Sequence, residues 1–153
     1  MLYVIDGTDH IFGRLASRVA KRALEGHEVR VFNAEKLIMT GDLDRYREKY
    51  EEKMRAKYAV NPKRGPFFYR TPDRFFRRAV KQMLPRRKPT GKRALRRVKV
   101  FIGVPVEYER LFKKRAQKVP EAYKDRLLTS KYFYVGDLLK LLGRKPRKYT
   151  MRR

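Results

Sequence analysis

The chain has 153 residues, no cysteine, and 42 Lys or Arg against 16 Asp or Glu, a formal net charge of +26. That length fits one domain, and the missing cysteines exclude disulfides, thiolate metal sites and cysteine nucleophiles. No run of about 18 apolar residues offers a membrane span, and residues 1–17 lack the charged start and continuous apolar stretch of a secretory signal, so an intracellular, soluble protein is expected.

Residues 2–5 read as a short buried strand ending at Asp6-Gly7. From Gly13 the apolar period becomes helical: Leu15, Ala16, Val19, Ala20, Ala23 and Leu24 share one face, and Arg14, Arg18, Lys21 and Arg22 the other. Gly26 is placed to stop this helix, and Val29, Val31 and Phe32 mark a second strand. Strand, helix and strand with short joints predict a βαβ unit with a parallel pair and a right-handed crossover. A second helix is expected from Asp42, which can cap it. Its stripe is Leu43, Tyr46, Tyr50 and Met54, and its surface is self-neutralised by Arg47/Glu51 and Glu51/Arg55 at i,i+4 spacing.

Thr71-Pro72-Asp73 is a helix-start signature, and Pro85 ends the helix that follows. Phe75, Phe76, Ala79, Val80 and Met83 are its predicted core face; Arg74, Arg77, Arg78 and Lys81 lie opposite. A turn is expected at residues 89–91, a short helical segment over 92–97, and a third strand over 98–103. A helix is expected within 120–128, a fourth strand over 131–135, and a closing helix in "GDLLKLLG". Alternating strands and helices predict an α/β fold, a three-layer sandwich.

Few residues suggest chemistry. The loop from Gly7 to Gly13 joins a strand to a helix, but Arg14-Leu15 stands where a phosphate loop needs Lys-Ser/Thr, and the dinucleotide spacing is missing. It reads as a tight connection. Asp9, His10 and Ser17 form no nucleophile elbow, His27 is expected in a solvated turn, and two histidines without cysteine are a poor metal set. No cofactor, metal or catalytic residue is expected.

Charge is distributed unevenly. Residues 1–62 net +2, residues 63–99 carry 15 basic and one acidic side chain, and the last ten residues net +6. Self-repulsion this dense calls for a polyanion, nucleic acid ahead of an anionic membrane. Prolines in the block hold segments extended. Phe67, Phe68 and Tyr69 sit among cations and can either stack on unpaired bases or pack in the core; arginines grip phosphate bidentately. The candidate RNA-binding residues are Lys63, Arg64, Tyr69, Arg70, Arg74, Arg77, Arg78, Lys81, Arg86, Arg87, Lys88, Lys92, Arg93, Arg96, Arg97 and Lys99, with Arg144, Lys145, Arg147 and Lys148 in the tail. No sequence-reading module is present, so shape and phosphate recognition of folded RNA is expected.

"GRLASRVAKRAL" at 13–24, "GHEVRVFNAE" at 26–35 and "NPKRGPFFYRTPDRFFRRAVKQMLPRRKPTGKRALRRVKVFIGVP" at 61–105 together resemble the universal L-thirteen family of large-subunit ribosomal proteins, in its archaeal and eukaryotic form. The short C-terminus favours the archaeal type. The resemblance implies a parallel four-stranded sheet of order 3-2-1-4 between helices. It also implies a non-enzymatic structural protein of the cytoplasmic ribosome. Its partners would be large-subunit rRNA and neighbouring ribosomal proteins, with no membrane, small-molecule substrate or homo-oligomer. The expected organisation is one domain over 1–143, with the basic block 63–99 inside it, and a basic tail over 144–153. A chromatin-like DNA-binding protein and an RNA-modifying enzyme are the rival readings.

Overall fold

The computed structural model describes residues 1–56 and 60–143. In chain order its elements are β1 (Leu2–Asp6), α1 (Phe12–Leu24), β2 (Glu28–Phe32), β3 (Ile38–Thr40), α2 (Leu43–Arg55), α3 (Pro72–Met83), α4 (Pro89–Arg97), β4 (Val98–Val100), α5 (Glu109–Arg115), β5 (Ala116–Gln117), β6 (Tyr132–Tyr134) and α6 (Val135–Leu141). β1 and β2 run parallel, with Leu2 opposite Glu28 and Asp6 opposite Phe32. β4 joins the free side of β2 and β5 that of β1, both parallel, giving the sheet order β4-β2-β1-β5.

Counted within the sheet, this is the expected 3-2-1-4 arrangement, but its fourth strand is Ala116–Gln117, not residues 131–135. Residues 132–134 do form a strand, yet they pair antiparallel with β3, Ile38 opposite Tyr134. Aromatic residues in "YFY" specify a strand without naming its neighbour. The two exposed residues of β5 give no apolar signal. Residues 120–128 hold two 3-10 turns, 120–122 and 124–126, instead of the expected helix. Ala122 is buried, and its carbonyl accepts from the Ile11 amide at 2.7 Å, so this segment is pinned at the start of α1. The helix of this region is α5, whose Phe112 packs edge-on against Phe32 at 5.4 Å.

On one face of the sheet, Ile5, Val29 and Val31 pack against Leu15, Ala16 and Val19 of α1 and against α3 and α4. On the other, Phe32 stacks on Phe101 with centroids 5.0 Å apart. Leu24 and Met83, each 46% exposed, fall outside the core faces assigned to them, because each is the last residue of its helix. Gly26, at φ +99°, terminates α1 as expected. Asp42 caps α2 by accepting from the Asp44 amide. Glu51 meets Arg47 at 2.9 Å and forms no pair with Arg55.

The strand order reverses beside β1, where open α/β sheets hold ligands beyond their strand ends. Here hydrogen bonds within the chain tie the loops at that end to one another. The Gly7 amide donates to the Phe32 carbonyl at 2.8 Å, and a Cβ at Gly7 would lie 2.7 Å from that oxygen. Asp6 Oδ1 accepts from the Thr8 amide, the Thr8 hydroxyl and Asn33 Nδ2. Burial alone would raise the Asp6 pKa, but these hydrogen bonds outweigh it and the carboxyl lies below its ordinary value. His10 is wholly buried. Its Nε2 accepts from the Val119 amide at 2.9 Å, which assigns the proton to Nδ1, donated to the Thr8 carbonyl at 2.8 Å. The neutral ring therefore ties the loop after β1 to the segment after β5, and Tyr123 covers it edge-on.

Burial lowers the His10 pKa; Asp6 and Asp9 nearby oppose this and Lys118 adds to it. The unfolded chain thus takes up the proton first, near the ordinary value of about 6.5. Stability is full above that pH and is lost as pH falls toward the lower folded value. The Asp6 contribution disappears only in the carboxylate range. Urea unfolding between pH 7.5 and about 5 is expected to show stability falling with pH, and a flatter profile in His10→Gln, whatever that variant's absolute stability.

Candidate nucleic-acid interface

The basic block is built on α3. Pro72 opens the helix, and Phe76 and Val80, one turn apart, are wholly buried, followed by Leu84. Each of the first two contributes about 1.5–3 kcal/mol of apolar burial. Their burial turns Arg77 and Lys81, also one turn apart, to solvent. Pro85 ends the helix. The expected turn at 89–91 is instead the first turn of α4, because Pro89 sits at a position where a missing amide costs nothing. Gly91 is buried against Pro85: a Cβ there would run into the Pro85 carbonyl. The Lys88 backbone amide donates to that carbonyl at 3.2 Å, and Arg77 Nη2 donates to the Leu95 carbonyl at 3.3 Å, tying α3 to α4.

These contacts bring two helical cation pairs face to face. Arg77 and Lys81 of α3, Arg86 and Arg87 of the joint, and Lys92 and Arg96 of α4 surround a cleft of about 640 Å³, with Leu95 as its apolar lining. No carboxylate lines it. The ion pairs among the described residues, such as Arg47–Glu51 and Lys113–Glu109, all lie outside residues 63–99. Two like charges about 10 Å apart in water repel by about 0.4 kcal/mol, and salt reduces this further. One buried side chain of α3 outweighs any one such pair, so the fold can hold the cleft open and positive.

Other candidates lie apart from the cleft. Lys63 and Arg64 are exposed in a 3-10 turn, and Arg74, Lys88, Arg93 and Lys99 are exposed on or beside α3, α4 and β4. Arg70 lines a separate 450 Å³ concavity with Asp9, Glu35 and Tyr134. Arg97, half-buried, donates to the Ala23 carbonyl at the end of α1. Arg78, also half-buried, donates to the Phe67 carbonyl at 2.5 Å and lies over the Phe68 ring at 5.1 Å. Tyr69 is 44% exposed and Phe67 64% exposed, so neither belongs to the core. Arg144, Lys145, Arg147 and Lys148 lie outside the described residues.

Sequence reasoning missed a second cationic concavity, where Arg14, Arg126 and Lys131 meet around the exposed Leu128. Arg14 Nη1 donates to the Arg126 carbonyl across 112 positions, a separation that no local pattern reveals. Of the residues considered for catalysis, His10 is committed to two backbone groups and Ser17 bonds to the Arg14 carbonyl. His27 packs on Tyr3 at 5.2 Å, only half-exposed where solvation was expected. Among the described residues no group of His, Asp and Glu is placed to hold a metal ion, and no helix is long and apolar enough to cross a membrane.

An α/β scaffold whose first loop is tied down by Asp6 and His10, with a cationic cleft on one flank that has no carboxylate among its lining residues, defines a basic α/β protein of the kind that suits a polyanion. Residues 1–107 match the family described as Ribosomal protein L13. The chain is 42% identical over 143 residues to the large ribosomal subunit protein uL13 of Methanocaldococcus jannaschii, covering 93% of this chain and 98% of that one. It is 40% identical over 145 residues to the Archaeoglobus fulgidus protein of the same name, covering 92% and 86%. Against the Caenorhabditis elegans protein of that name the figures are 39% over 132 residues, 86% and 64%. The chain belongs to the ribosomal protein L13 family, whose members are structural, non-enzymatic components of the ribosome.

The cleft depends on the close approach of Gly91 to Pro85. Gly91→Ala is expected to destabilise by roughly 1–3 kcal/mol through overpacking, with Tm falling by about 2–4 °C for each. Gly13→Ala, where an added Cβ meets nothing within 4 Å, is expected to be neutral or stabilising. Thermal melts of the two variants check the contrast.

Proposed function

We propose that this protein is a structural constituent of the large ribosomal subunit that binds and organises large-subunit rRNA, with the cleft between α3 and α4 as its principal grip. The carrying observation is that cleft: six cations around one concavity with no carboxylate among its lining residues. Phosphates entering it replace mutual repulsion with attraction, and the counterions they release drive association. Arginine forks at positions 77, 86, 87 and 96 suit bidentate phosphate contacts. The sequence carries no recognisable sequence-reading module, which favours recognition by shape and backbone.

Family membership supports rRNA and adjacent large-subunit proteins as partners, within the cytoplasmic ribosome. In this reading the chain acts as a single copy, with no small-molecule substrate. Residues 1–143 form one folded unit carrying the block 63–99, and the tail 144–153 adds further phosphate contacts. The match spans 98% of the M. jannaschii protein and 64% of the nematode one.

Binding of the purified protein to large-subunit rRNA fragments is expected to weaken steeply with salt. The log–log slope should be several units, at roughly 0.7–0.9 per phosphate contacted; a slope near zero contradicts the mechanism. Competition by duplex DNA at matched salt separates the reading from a general DNA-binding protein, which would bind both equally.

Reversing Arg86 and Arg87 to Glu is expected to lower affinity and reduce the slope while leaving Tm nearly unchanged, since both side chains are exposed. The same change at Arg45 and Lys49, exposed on α2, should do much less. Equal losses from the two pairs would refute the assignment of the cleft.

A further inference from the structure

A second concavity lies on the other side of α3, and the cleft does not use it. It encloses about 200 Å³ between α2, α3 and the extended segment 67–69. Phe68, Tyr69 and Phe75 supply ring surface, Tyr50 lies beside them, and Arg78 and Lys53 supply charge. No carboxylate lines it. The volume is below that of an ordinary small-molecule site and suits one flat ring system.

Its construction is specific. Arg78 donates to the Phe67 carbonyl at 2.5 Å and lies over the rings of Phe68 at 5.1 Å and Tyr69 at 6.0 Å. One guanidinium thus fixes the backbone of the aromatic run and remains at the rim. Tyr50 packs on Phe75 at 5.5 Å, and Lys53 Nζ lies 5.5 Å over the Tyr50 ring. Phe67, 64% exposed, and Tyr69, 44% exposed, stay in solvent although α3 offers a core beside them. A ring left exposed next to a fixed cation provides a stacking face and a phosphate partner at one point.

The geometry points to this concavity as a stacking site for one unpaired RNA base: the ring packs on Tyr69, beside Phe68, and the adjoining phosphate meets Arg78 or Lys53. The inference rests on the rRNA-binding reading above and adds a single-stranded contact to the backbone grip of the cleft. The two contacts differ in physics. Stacking contributes affinity that salt barely changes, whereas phosphate contacts set the salt slope.

The test uses a single-stranded oligouridine carrying one iodouridine and a duplex of the same length, with the full chain. Irradiation followed by mass spectrometry is expected to join the single strand, and not the duplex, to Tyr69. Tyr69→Ala should weaken single-strand binding about 5- to 150-fold with the salt slope unchanged, while Tyr69→Phe retains binding. Unchanged affinity in Tyr69→Ala, or a loss that appears only as a smaller salt slope, overturns the site. If the cleft variant Arg86→Glu/Arg87→Glu still lowers rRNA affinity in that case, the stacking site falls and the proposed function stands. If the wild-type chain shows no salt-dependent rRNA binding at all, the wider reading falls as well.

Discussion

The cationic surface of this protein exists because α3 is anchored by its opposite face. Phe76 and Val80 insert wholly into the core, and the helical repeat then leaves Arg77 and Lys81 no direction but outward. Repulsion between those cations is spread over several screened pairs, each a fraction of a kcal/mol. Apolar burial is concentrated in a few side chains worth more apiece. The core therefore sets the backbone and the charges follow it. The joint to α4 obeys the same logic, since Gly91 against Pro85 and Arg77 against the Leu95 carbonyl hold the second row of cations opposite the first.

At the strand ends of the sheet, polar side chains are engaged within the chain. His10 bridges the loop after β1 to the segment after β5 through both ring nitrogens, and Asp6 gathers three hydrogen bonds from Thr8 and Asn33 at the neighbouring strand ends. Side chains that would serve chemistry in an open crevice serve here as staples. This places the polar residues of the first loop within the scaffold, as suits a member of a structural ribosomal family.

α3 also separates two kinds of contact surface. Arg77 reaches toward α4 and the acid-free cleft; Arg78, its neighbour in sequence, reaches toward residues 67–69 and the aromatic concavity. One step along a helix turns a side chain by about 100°, so adjacent arginines serve different surfaces.

Much of this was legible in the sequence. Helical and strand periodicities located β1, α1, β2, α2 and α3, because burial of a stripe leaves a local repeat. The charge excess of 63–99 marked the segment that lines the cationic cleft, since like charges this dense call for something to neutralise them. Tertiary structure decided what local patterns do not encode. The two exposed residues of β5 became a strand because β1 offered a free edge, and "YFY" went to β3 because Phe133 found the core there. Which arginines face the cleft, which brace Ala23 or Phe67, and how Arg14 comes to meet Arg126 were likewise decided by packing. Composition and periodicity are sums over neighbours in the chain, whereas a partner is chosen in space, where residues far apart compete for the same surface.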